Sequence, residues 1–173
     1  MAWQLDPTHS SISFSGKHML VATVRGQFRS WQVDADVDEA NLANSTGTVR
    51  IDASSLDTGV EQRDNHLRSA DFFDAENHPE IVFRLNRIEP KGEESRLVGD
   101  LTIRGITHEV TLDGEIDGPI DDPWGGKRVG LSAEGKLNRK DWGLDWNVPL
   151  SAGGILVSEQ IKISIDAELV KAA

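Results

Sequence analysis

The sequence predicts an all-β fold in one domain, residues 1–173, with about eight antiparallel strands and one short helical segment at about residues 59–74. Three observations predict it. Apolar residues recur at every second position along most of the chain. The connections between these stretches are short. One segment alone abandons period two and carries helix signals instead.

The elements follow in order. Ile12 and Phe14 alternate with serines, and Val24, Gly26 and Phe28 alternate with Arg25 and Gln27. Trp31, Val33, Ala35 and Val37 continue in the opposite phase, which predicts a bend or bulge at Arg29–Ser30. Val49 and Ile51, then Ile81, Phe83 and Leu85, mark the next two strands. Leu97–Ile103 and Val110–Ile116 read as a hairpin turning at Gly105–Thr107. Val129–Leu137 and Ile161–Leu169 complete the set, with residues 117–127 (DGPIDDPWGGK) as a long turn-rich loop between strands. In the exceptional segment, Thr58 and Glu61 fit a capping box, and Asp64 and Arg68 stand four apart with the acid first. Ser69 is placed to cap a second short turn through Phe72 and Phe73, and Pro79 launches the next strand.

Composition narrows the function. Eighteen Lys and Arg against 29 Asp and Glu give a net charge of −11, which disfavours nucleic acid and anionic membrane surfaces. No cysteine is present, so disulfides and thiol chemistry are excluded. No apolar run is long enough for a transmembrane helix, so an integral membrane protein is not expected. No signal-peptide pattern opens the sequence, so a cytoplasmic location is the default expectation, or a periplasmic one for a trimmed chain.

Alternation leaves two architectures open, a packed sandwich and a barrel with a cavity. The apolar face carries Gly26, Gly99, Gly114 and Gly135 among larger residues, which favours bending and leaves room inside. Eight strands close around a space wide enough for one small ligand. The outward faces, rich in Asp, Glu, Lys and Arg, read as wetted rather than lipid-facing.

Catalytic constellations are sparse. The five histidines show no close ligand spacing on one element, so no metal site is expected. There is no nucleophile elbow and no phosphate-binding glycine loop. Arg63, Asp64, His66 and Arg68 form the densest polar cluster. It reads as a network tying the helix to a barrel rim. The alternatives are contact with a ligand head group, and enzymatic use of Arg63, Asp64 and His66 on a small apolar or isoprenoid substrate.

Several stretches together resemble the YceI-like family, which is associated with binding polyisoprenoids. They are WQLDPTHSSISFSGKHM, VRGQF, TGVEQRDNHLRSADFFDAENHPEIVF, LVGDLTIRGITHEVTL, LNRKDWGLDWN and GGILVSEQIKISIDAEL. The chain departs from the family pattern at Leu85 and Asn86, where Ser-Thr is common, and near Ser158, where glycine is common. The resemblance implies an eight-stranded antiparallel lipocalin-like barrel. It implies a long apolar pocket for an isoprenoid lipid such as a polyisoprenoid, an isoprenoid quinone or a prenyl phosphate, held for storage, transport or sensing. It implies no catalytic residue and no cofactor besides that lipid. Dimers occur in the family, so a homodimer is a further expectation. Strand phase and the flanking aromatics nominate the pocket lining: Phe14, Val24, Phe28, Val49, Ile51, Phe72, Phe73, Ile81, Phe83, Leu101, Ile103, Leu131, Trp142 and Trp146.

Overall fold

A computed structural model describes residues 3–19, 21–150 and 156–173. Gly153, Gly154 and Ile155 of the GGILV motif therefore lie outside the described residues. Among the described residues there are eleven strands and one α-helix. They are β1 (Gln4–Leu5), β2 (Ser11–His18), β3 (Ala22–Phe28), β4 (Trp31–Asp36), β5 (Thr46–Asp52) and β6 (Leu56–Asp57), then α1 (Glu61–Arg68), and finally β7 (Glu80–Lys91), β8 (Glu94–Ile103), β9 (Ile106–Asp121), β10 (Lys127–Asn138) and β11 (Gln160–Lys171).

All pairings are antiparallel, and the hydrogen-bonded order is β4-β5-β7-β8-β9-β10-β11-β2-β3-β6. The two ends of that order are joined by covalent chain. Arg29 and Ser30 connect β3 directly to β4, and Ala53–Ser55 connect β5 to β6. The Arg29 N–H donates to the Ser55 carbonyl at 3.2 Å and the Asp52 N–H to the Ser30 carbonyl at 3.0 Å, so pairing continues through the bend. The sheet therefore curls into a barrel. Counting β3–β4 and β5–β6 each as one bent strand and leaving out the two-residue β1 gives the eight walls that the alternation predicts. The phase change at Arg29–Ser30 is that bend.

Two local readings are corrected. The helix begins at Glu61 with Val60 at its N-cap and no side-chain cap. Thr58 is turned away, because its N–H and hydroxyl both donate to Asp64 Oδ1, at 2.9 and 2.5 Å. Asp64 is thereby unavailable to Arg68, which donates instead to the carbonyls of Ser54 and Leu56 at 2.8 and 2.9 Å. The loop at 117–127 is shorter than expected: β9 runs to Asp121 and β10 starts at Lys127. Asp122 alone organises the turn, accepting from the N–H groups of Trp124 and Gly126 at 2.9 and 2.8 Å. The β8–β9 hairpin turns on Arg104 (φ 52°) and Gly105 (φ 73°), the two positive φ values that a tight type I′ turn requires.

Candidate functional site

The barrel interior divides into two apolar spaces. The inner one is a cavity of about 160 Å³ bounded by β2, β4, β5 and β7–β11. Its wall on β11 runs from Ile163 to Leu169, six residue steps or about 20 Å. No charged side chain borders it, and Phe83 is its single ring. The second space is a groove of about 460 Å³ at the helix end, bordered by Phe14, Val24, Leu67, Phe72, Trp146 and Ile161 together with Arg63 and His66. The two lie one inward step apart. On β2, Ile12 borders the cavity and Phe14 the groove; on β11, Ile163 borders the cavity and Ile161 the groove.

A layer of rings stands at the division. Phe14 and Phe28 are 5.3 Å apart between centroids, and Phe28 meets Phe73 edge-on at 5.9 Å. Gly26 makes room for this layer, since a β-carbon there would lie 2.5 Å from Phe14 Cζ. Gly99 does the same for Phe83, whose ring atoms would sit 2.7 Å from an added β-carbon. The space left by these inward glycines is thus filled by phenylalanine rings rather than left open.

The fourteen nominated lining residues fall into three groups. Val49, Ile51, Phe83, Leu101 and Leu131 border the inner cavity. Phe14, Val24, Phe72 and Trp146 border the groove. Phe28, Phe73, Ile81, Ile103 and Trp142 border neither space and pack in the core between strands and helix. Trp142, 2 % exposed, is a structural pin whose Nε1–H donates to the Leu101 carbonyl at 2.9 Å.

Sequence reasoning missed much of the cavity wall. Val33, Ala35, Leu42, Ile116, Val129 and Ala167 border it far from the aromatics. Small inward residues on the strands, Ala35, Gly47, Ala133 and Ala167, were the available signal. Leu85, one of the two departures from the family pattern, also borders the cavity. Arg139 was missed as well. It is 5 % exposed, burial lowers its pKa, and it donates to the carbonyls of Leu144, Val157 and Ser158 while stacking over Phe72 at 5.7 Å. It holds the segments that carry the groove wall.

The polar cluster on α1 is occupied with structure. Asp64, 6 % exposed, is taken up by Thr58. Arg63 donates to the Thr58 hydroxyl and carbonyl at 2.7 and 2.9 Å. His66 pairs with Asp71 at 2.9 Å and wedges between Phe72 and Trp146, with centroids 5.1 and 4.5 Å away. Each side chain thus has a structural partner, with Arg63 and Asp64 sharing Thr58, and what reaches the groove is the flank of Arg63 and His66.

One further titratable cluster lies at the opposite end. Asp6, His9 and Glu168 converge closely enough to suggest a metal site. Arg128 occupies it, with Nη1 3.0 Å from Asp6 and 2.6 Å from Glu168. The Thr8 hydroxyl, then His9 and Arg128, hold the Asp6 carboxyl far below its ordinary value, and Asp6 in turn raises His9. This is an ion cluster that ties β1, β10 and β11 together. Among the described residues no helix is long and apolar enough to cross a membrane.

The family model described as the YceI-like domain matches residues 3–169. The chain belongs to the YceI-like family. The YceI-like chain is 39 % identical over 167 residues to a UPF0312 protein of Staphylococcus epidermidis, covering 96 % of this chain and 95 % of that one. Its barrel superposes on the Campylobacter jejuni YceI protein with a TM-score of 0.77 at 29 % identity, covering 91 % of this chain and 90 % of the other. A polyisoprenoid binding domain from Saccharophagus degradans shares the fold at a TM-score of 0.71, with 14 % identity and coverage of 100 % and 99 %. The two solved structures share the lipocalin-like barrel architecture with this chain.

Proposed function

We propose that this YceI-like protein binds an isoprenoid lipid, with the tail in the inner cavity and the groove as its entrance. The observation that carries the reading is the inner cavity itself, predominantly aliphatic, free of charged side chains and bordered by strands all around the barrel. The structural likeness to a protein described as a polyisoprenoid binding domain supports the same ligand class. Polyisoprenoids, isoprenoid quinones and prenyl phosphates all present such a tail. Storage, transport and sensing all follow from one binding event, and none requires the chain to perform chemistry.

The energetics favour a tail over a head. Burying one CH₂ stabilises by ~0.8 kcal/mol, so a five-carbon isoprene unit contributes about 3–4 kcal/mol before ordering costs. The cavity of about 160 Å³ is close in size to those that hold a benzene-sized molecule. A longer chain must therefore occupy groove and cavity together, displacing the half-buried Phe14 ring from the layer between them. Selectivity then rests on chain length and width.

A titration with prenyl alcohols of increasing length tests this, read by the fluorescence of Trp146 in the groove wall. Affinity should rise steeply per isoprene unit and level off once both spaces are full. Equal, weak affinity at every length would refute the reading.

A further inference from the structure

The outer wall beside the groove carries a row of cations that the tail-binding reading does not use. Register sets Arg25 of β3 opposite Ser15 of β2, Ser15 opposite Lys162 of β11, and Lys162 opposite Lys136 of β10. Four neighbouring strands, about 4.8 Å apart, thus present Arg25, Ser15, Lys162 and Lys136 in one line. Two like charges directly opposite one another on a sheet are unfavourable, and Lys162 and Lys136 are such a pair. Glu134 offsets part of this by reaching Lys162 at 3.2 Å. Among the described residues, Arg25 and Lys136 have no carboxylate partner.

The row lines a depression of about 530 Å³ whose border includes four cations, Lys17, Arg25, Lys136 and Lys162, and no Asp or Glu. In a chain with 29 acids to 18 bases, such a local excess is contrary to composition. Ser13, Ser15, Thr23 and Ser164 add hydroxyl donors to the same surface. Long cationic side chains above short hydroxyls suit an anion with several oxygens, as a phosphate has. The depression also adjoins the groove: Phe14, Gly16 and Lys17 of β2 border both. Ser15 lies three residues, about 10 Å, from the end of β2 at His18, where that wall stops.

We propose that this row is a binding site for a phosphate-type anion, and that it receives the phosphate or diphosphate end of a prenyl chain whose tail enters the groove past Lys17. The second half rests on the isoprenoid reading above; the anion site itself does not. The site also explains why two lysines face one another on an otherwise acidic barrel.

The test compares farnesyl diphosphate, farnesol and inorganic diphosphate, each titrated into the wild-type chain and into an Arg25→Gln/Lys136→Gln variant at low ionic strength. Both replaced residues are exposed, and circular dichroism checks the fold of the variant. The wild type should bind farnesyl diphosphate at least tenfold more tightly than farnesol. The variant should lose that preference while keeping its farnesol affinity. Inorganic diphosphate that binds the wild type but not the variant, with no advantage of farnesyl diphosphate over farnesol, assigns the row to a free anion and upholds the site without the tethered head. Equal affinity for the two prenyl ligands, together with no binding of inorganic diphosphate, overturns the site and leaves tail binding standing. If neither prenyl ligand binds, the isoprenoid reading fails, and inorganic diphosphate alone decides the site.

Discussion

Replacing Ala133 by leucine should stabilise the empty barrel and weaken the proposed lipid binding. Ala133 borders the inner cavity on β10, with Gly114 opposite on β9 and Ile165 opposite on β11. Gly114 lets β9 pack tightly on Ala133, since a β-carbon there would lie 2.8 Å from Ala133 Cβ, so the new leucine has to extend into the cavity. Leucine adds three carbons. At ~0.8 kcal/mol for each CH₂-sized group buried, they contribute up to about 2.4 kcal/mol if the cavity is empty. For a chain of this size that is a rise in Tm of roughly 5–9 °C. The same three carbons displace a comparable length of lipid tail, weakening binding by about 50-fold. Differential scanning calorimetry on delipidated protein measures the first effect, and prenyl alcohol titration the second. The sign is decisive, because overpacking a filled core costs ~1–3 kcal/mol. A lower Tm with unchanged lipid affinity would mean that no usable cavity exists beside Ala133.

Three further outcomes follow from named contacts. Asp64→Ala removes the acceptor of both Thr58 donors in a buried setting, so stability should fall by about 2–4 kcal/mol in chemical denaturation while lipid affinity of the folded protein stays within a few-fold; a loss of function with unchanged stability would restore a chemical role to the cluster. Arg139→Met strands three carbonyls beneath the groove, and should lower Tm and weaken binding together; Arg139→Lys should rescue only in part, because one ammonium cannot reproduce the guanidinium fork. The Asp6–His9–Arg128–Glu168 cluster makes stability depend on pH in both directions. Asp6 has a folded pKa far below 3.8, so its contribution is complete above that value and is lost as pH falls below it. His9 is raised above 6.5, so its contribution is complete below 6.5 and is lost as pH rises through its folded value. Asp6→Asn should flatten both limbs of a Tm-against-pH curve, and identical curves would show the cluster to be inert.

Much of the fold was legible because a strand with one wet face writes its orientation into the sequence. The alternation of Ile161 to Leu169, and the phase slip between Phe28 and Trp31, correspond to β11 and to the corner joining β3 to β4. The helix start was misread because a capping box is a local pattern. Thr58 had a stronger partner in Asp64, six residues on, and only the folded turn brings them together. The cavity was half legible. Period two says which side chains point inward, and it is silent on which of them touch one another. The phenylalanines attract attention as lining, yet Phe14, Phe28 and Phe73 largely satisfy each other. The inner cavity lies instead where inward residues are small or aliphatic, around Ala35, Ala133 and Ala167. The cationic row was invisible for a different reason. Arg25, Lys136 and Lys162 are distant in sequence and become neighbours only through the register of four strands.

The central claim is that the barrel interior is a lipid site. Its most direct test is mass spectrometry of an organic extract from the natively purified protein, run beside the Ala133→Leu variant. The wild type should yield an isoprenoid species near one mole per mole of protein, and the variant at least tenfold less. Repeated extracts without any isoprenoid, or equal amounts from both proteins, would contradict it.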